Sequence, residues 1–92
     1  MKIEFDAAKR QITIDNRGLD MADAGSVFAG NCLTFEDTRQ DYGEVRFITI
    51  GRLDARLVVL VWTARNRSRR IISMRKANDR EEKLYGPRLG GP

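Results

Sequence analysis

The chain contains no histidine and a single cysteine, Cys32, among its 92 residues. Without histidine there can be no Ser-His-Asp or Cys-His triad, and no paired-histidine chemistry of the pancreatic ribonuclease kind. One thiol cannot close an intramolecular disulfide, and with no second cysteine or any histidine a zinc site is not expected. Neither a metal nor a cofactor is anticipated, so proton transfer falls to Lys, Arg, Asp, Glu or Tyr. Long apolar runs are also missing. The longest, Leu57 to Trp62, is six residues, whereas a membrane span needs about 20. The first ten residues, MKIEFDAAKR, are acidic early and have no apolar signal core, so a cytoplasmic location is expected.

What is present fits one small globular domain. Hydrophobic residues make up 41% and charged residues 33%, too many aliphatics for a disordered chain. At this length about 60 to 65% of the unfolded surface can be buried, enough for one core. A single domain over residues 1–86 is expected, with residues 87–92 as a flexible tail. Charge is unevenly spread: residues 1–44 carry 5 Lys/Arg against 9 Asp/Glu, residues 45–64 carry 3 against 1, and residues 65–92 carry 9 against 3. A C-terminal third at +6 is the footprint of a polyanion or an acidic protein partner; the alternative is a merely solvated basic face.

The basic third is concentrated in Ser68 to Tyr85, SRRIISMRKANDREEKLY. Its first half reads as a strand in which Ile71, Ile72 and Met74 anchor the backbone. Strict alternation puts Arg69, Ile71, Ser73 and Arg75 on one face and Arg70, Ile72, Met74 and Lys76 on the other. Asn78 then occupies a helix N-cap position with Glu81 three residues on, a variant of the capping box, and Gly86-Pro87 stops the helix.

Upstream, Ile3 and Phe5 alternate with polar residues as a short strand. Asp6 can cap a helix over roughly 7–16, although Gln11-Ile12-Thr13-Ile14-Asp15 alternates like a strand. Asn16-Arg17-Gly18 reads as its stop. A second helix starts near Asp20, with Met21, Ala24, Gly25 and Phe28 toward the core and Gly25 as a point of close packing. Strands follow at Leu33–Glu36, Val45–Arg52, Arg56–Thr63 and Ser68–Lys76. Short connections make an antiparallel meander the simplest topology. The run Leu57-Val58-Val59-Leu60-Val61 should be central and covered on both sides, with Trp62 in the core. The expected class is α+β: two N-terminal helices, an antiparallel sheet and one short C-terminal helix, with helices packed on a sheet face. Arg46 is expected to approach the Arg70 or Arg75 region from the neighbouring strand.

Asp6-x-x-Lys9, Phe28, Asp41-Tyr42-Gly43-Glu44-x-Arg46, Thr49-x-Gly51 and Arg70-Ile71-Ile72-Ser73-Met74-Arg75-Lys76-Ala77 with Arg80-Glu81 and Tyr85 together resemble the BrnT family of type II toxins. The resemblance runs in order over about residues 1–86. It implies a RelE-like fold and ribonuclease activity that blocks translation, with RNA, free or on the ribosome, as the substrate. It also implies a hetero-oligomer with a BrnA-type antitoxin, which neutralises the toxin and supplies the DNA-binding part when the pair represses its own operon. Two positions depart from the family pattern: Asn16-Arg17-Gly18 replaces the common Lys-His-Gly, and Asp54-Ala55 replaces Asp-Gly, from which a slightly different hairpin is expected. The helical reading of residues 7–16 rests mainly on the family.

Cleavage of a phosphodiester needs the 2′-hydroxyl in line with phosphorus, stabilised developing charge, and protons moved on and off. Arg70, Arg75 and Arg80, with Arg46 as a fourth, are the candidates for phosphate positioning and charge stabilisation. Glu81 or Glu44 is the candidate base and Lys76 or Tyr85 the candidate acid. Lys9, Arg69 and Lys83 are candidate RNA contacts. Simpler roles stand beside these: Glu81 as the completion of a cap, Tyr85 as packing under the sheet, Glu44 and Arg46 as an exposed ion pair, and Tyr42 as cover for a core edge rather than a platform for a base. Two other functions use the same cations: a nucleic-acid-binding module without catalysis, and a domain that docks an acidic or amphipathic partner helix.

Overall fold

A computed structural model describes residues 1–90. Strand β1 (Lys2–Phe5) leads into helix α1 (Ala7–Arg17), a 3-10 turn (Met21–Asp23) and helix α2 (Ala24–Ala29). Strands β2 (Cys32–Glu36), β3 (Phe47–Leu53), β4 (Arg56–Arg65) and β5 (Ser68–Lys76) follow, then helix α3 (Asp79–Tyr85) and a 3-10 turn (Gly86–Leu89). The strand order is β1-β5-β4-β3-β2. From β2 to β5 the strands are antiparallel sequential neighbours, as a meander requires. β1, however, adds to β5 in parallel, so the sheet is mixed rather than wholly antiparallel. Nothing in the length of a four-residue strand announces that pairing; the chain between β1 and β5 contains the rest of the sheet.

The helices also divide differently from expectation, lying on both faces of the sheet. On one face Leu19, Met21, Ala24 and Val27 pack against Val58, Leu60, Trp62, Ile71 and Met74. On the other, Leu89 packs with Ile50, Leu57 and Val59, flanked by Ala77 and Tyr85. Successive residues of β4 thus feed opposite cores, and Leu57 to Leu60 are all buried, as their unbroken apolar run implies. Leu89 belongs to the second core, so the chain stays packed to residue 89 rather than leaving the fold at 87. Residues 91 and 92 of the expected tail lie outside the described residues.

Residues 7–17 are helical despite their alternation. Asp6 caps the helix through Oδ1, which accepts from the Lys9 N–H at 3.0 Å, and Gly18 ends it at φ +66°. Tertiary contacts reinforce the choice. β1 stops at the level of Ile71, and beyond it α1 covers the exposed edge of β5: Lys9 Nζ donates to the Ile72 carbonyl at 3.4 Å and Arg17 Nη1 to the Met74 carbonyl at 2.8 Å. A helix whose cations satisfy edge carbonyls does what a further strand would have done.

Close packing occurs at Gly51 rather than Gly25. A Cβ at Gly51 would lie 2.8 Å from Val27 Cγ1 and 3.0 Å from Cys32 Cβ, whereas one at Gly25 would meet only Ile3 Cγ1 at 3.9 Å. The β3–β4 turn keeps its tight two-residue form: Asp54 and Ala55 sit at φ +50° and +69°. Ala55 adopts the left-handed conformation at its own cost.

Candidate active site

A bulge in β5 decides what shares the site. Ser73 pairs with Val61 and Ile71 with Trp62, so Ile72 is an extra residue with no partner across the ladder. Ile71 and Met74 consequently point into the same core, three residues apart. Strict alternation therefore fails: Arg69 and Ile71 lie toward α2, Ser73 and Arg75 toward α3, and Arg70 joins Arg75 on the α3 side. The bland sequence ISM conceals a register change that separates Arg69 from Arg75 and puts Arg70 on the side of Arg75.

On that side α3 and β2 bound an open cleft of about 360 Å³. Its floor is apolar, from Ile48, Val59 and Val61, and its rim carries Arg39, Arg75 and Arg80. Arg75 is held by a forked pair with Glu81, Nη1 to Oε1 at 2.8 Å and Nη2 to Oε2 at 2.9 Å. Glu81 is itself fixed by the capping box, its Oε1 accepting from Asn78 N–H at 2.9 Å while Asn78 Oδ1 accepts from Glu81 N–H at 2.8 Å. The start of α3 and the end of β5 are thus joined through one carboxylate. The Arg75 guanidinium, followed by the Asn78 N–H, holds the Glu81 carboxyl below its ordinary pKa, and the pairing raises Arg75 in return.

Arg39 enters from the loop after β2 and was not singled out by the sequence. Its guanidinium forks onto Asp37 at 2.8 and 2.7 Å, and Tyr42 donates its hydroxyl to the same carboxylate at 3.0 Å. The Asp37 side chain is fully buried while that of Arg39 is 66% exposed, so the carboxylate anchors a cation that still faces solvent. Arg39, more than any other neighbour, holds Asp37 well below the usual carboxylate range. An Asp-x-Arg spacing in a polar loop is too common to predict this. Two further members escaped notice as site residues: Ser73 on the floor, and Phe35 on β2, whose ring stacks on Tyr85 with centroids 6.4 Å apart and planes 23° apart.

Of the residues proposed from sequence, the structure brings Arg75, Arg80, Glu81 and Tyr85 together around this cleft. The others lie elsewhere. Lys76 is exposed at the end of β5 and follows Arg75, so it points to the opposite side of the strand. Arg70 is on the α3 side but pairs with Glu4 at 3.3 Å, at the height of Thr63, while Arg75 is at the height of Val59; four residues along a strand is about 13 Å. Arg46 precedes β3 near that upper level. Its guanidinium covers the Tyr42 ring at 4.2 Å and pairs with Glu44 at 3.1 Å, and Glu44 also faces Arg65 at 3.6 Å. Arg46 therefore approaches the Arg70 end of the sheet and not Arg75, and it covers one face of the Tyr42 ring. Arg69 stacks over Phe28 at 4.0 Å with Trp62 at 5.3 Å, on the α2 side. Lys9 serves the β5 edge, and Lys83 lies on the outer flank of α3 beside Arg80 and Leu84.

Among the described residues no helix is long and apolar enough to cross a membrane. No curated protein matches the chain. Residues 5–81 match the family model of BrnT, the ribonuclease toxin of a type II toxin–antitoxin system. That span takes in the β5–α3 junction with its Arg75–Glu81 pair, and the chain belongs to the BrnT ribonuclease toxin family.

Proposed function

We propose that the protein is an endoribonuclease toxin that cuts RNA by attack of a 2′-hydroxyl on the adjacent phosphorus, with the phosphate held by Arg75, Arg80 and Arg39. The observation that carries this reading is the forked Arg75–Glu81 pair at the edge of an open cleft that two further guanidinium groups rim. A guanidinium fixed by a carboxylate on one side presents its other N–H groups in a set direction. Such preorganised donors stabilise charge that develops in the transition state without reorganising. Arg75 is fixed in this way by Glu81 and Arg39 by Asp37, and with Arg80 on the same rim they supply the stabilisation for which other nucleases use metal ions, so the proposed reaction is metal-independent.

Arginine stays protonated and does not shuttle protons. Tyr85, half-buried in the cleft, is the proposed donor to the leaving 5′-oxygen. Glu81 accepts three N–H bonds and is held ionised at lowered basicity, which favours a positioning role over that of principal base; the 2′-hydroxyl proton passes to its remaining lone pair or to solvent. Glu44, Lys76, Arg46 and Arg70 have no assigned role in the chemical step, because their contacts lie outside the cleft.

The α+β arrangement is read as RelE-like, and the setting as a cytoplasmic toxin whose RNA cleavage inhibits translation. An antitoxin of the BrnA type is the proposed partner, neutralising the toxin by covering the basic cleft and repressing the shared operon in complex with it. The test is a denaturing gel of end-labelled RNA with purified protein, with and without ribosomes, alongside Arg75→Ala. Cleavage is expected from the wild type, reduced on the order of a hundredfold in the variant. Intact RNA in both conditions, with salt-dependent retention, would leave a binding module and not an enzyme.

A further inference from the structure

Phe35 is a large aromatic side chain left partly open on the cleft face of the sheet. Its side is on β2, the outermost strand, and 41% of the residue is open to solvent. Its neighbours are the Tyr85 ring and the apolar floor, and Arg39, Arg75 and Arg80 rim the same cleft. Flat aromatic surface next to guanidinium groups matches the two halves of a nucleotide, a base that stacks and a phosphate that needs cations.

We propose that the cleft is a subsite for one unpaired nucleotide of single-stranded RNA, its base packed on Phe35 and Tyr85 and its phosphate on the arginine rim. The inference rests on the reading that the chain acts on RNA. Size supports it: about 360 Å³ is at the lower end of small-ligand pockets. A base stacked inside an A-form duplex cannot reach such a cleft, so the substrate class is unpaired RNA or a nucleotide splayed out of a loop. The floor offers aliphatic side chains, with Ser73 and the Tyr85 hydroxyl as the polar side chains beside them. Stacking on the two rings supplies the main contact to the base, and stacking accepts any base. Phe35 is accordingly a binding residue that fixes where along the strand the phosphate sits.

The experiment uses short 2′-O-methyl oligonucleotides, which resist cleavage, and measures affinity by fluorescence anisotropy for a normal oligomer and for an abasic oligomer of equal length. Wild-type protein should bind the normal oligomer on the order of tenfold to a hundredfold more tightly than the abasic one. Phe35→Leu should lose most of that ratio, leave abasic binding unchanged, and slow single-turnover cleavage; Phe35→Trp should restore the ratio. Unchanged abasic binding reports that the variant is folded and that its arginine rim is intact. A ratio that Phe35→Leu leaves at its wild-type value, in protein that cleaves RNA, overturns the subsite and leaves the ribonuclease reading standing. Wild-type protein that neither binds nor cleaves RNA overturns both.

Discussion

At the residue scale the Arg75–Glu81 pair separates two roles a glutamate can play. Glutamine is accepted at the third position of a capping box, so Glu81→Gln can keep the Asn78 N–H satisfied while losing the ionic fork on Arg75. The expected outcome is a melting temperature within a few degrees of wild type and single-turnover cleavage at least about tenfold slower. A pH profile distinguishes positioning from base chemistry. If Glu81 only orients Arg75, the slower variant keeps the wild-type profile; if it takes the proton, the acidic limb disappears with it.

At the scale of elements, two hairpin and packing positions carry measurable consequences. Ala55 holds φ +69° in the β3–β4 turn, where an L side chain costs about 1–2 kcal/mol relative to glycine. Ala55→Gly is therefore expected to stabilise the fold by about 1 kcal/mol in a urea titration, net of the greater freedom glycine gives the unfolded chain. Gly51 makes the opposite case. It lets α2 lie close on β3, and Gly51→Ala would press a methyl group against Val27 and Cys32. A loss of about 1–3 kcal/mol is expected in the same titration; an unchanged midpoint would show that α2 can shift without cost.

At the scale of the whole molecule, acid should unfold the protein through a small set of carboxylates. Asp20 accepts a forked pair from Arg10 at 2.7 and 2.8 Å, and its pKa falls to about 2. Asp37 and Glu81 are lowered in the same direction by Arg39 and Arg75. A carboxylate lowered in the folded state contributes stability that is complete above its unfolded pKa of 3.8 for aspartate and is lost as pH falls through the folded value. Thermal stability should thus hold near pH 5 and decline steeply between about pH 4 and 2. Asp20→Asn should begin less stable at pH 5 and show a shallower decline. An equal slope in the two proteins would mean that the Arg10 pair is not part of the acid transition.

Much of this was legible in the chain itself. Asn78 and Glu81 specify the cap of α3 by local hydrogen bonding, Gly18 specifies the end of α1, and an unbroken Leu57–Val61 run specifies a strand buried on both sides. Arg75, Arg80, Glu81 and Tyr85 sit within one strand–helix segment, so short-range order alone keeps them near one another. The rest depends on contacts between distant parts of the chain. The parallel pairing of β1 with β5 and the helical state of residues 7–17 at the β5 edge are settled by neighbours far away in sequence. So is the bulge at Ile72, where two ladder partners on β4 decide which way each arginine points. Arg39 and Phe35 reach the cleft because β2 ends the sheet beside α3. Local sequence determined the helix caps, the buried strand and the basic segment, since these follow from nearest-neighbour hydrogen bonds and hydrophobic period. Tertiary structure alone decided which cations share a face, because a one-residue change in strand register reverses every side chain beyond it.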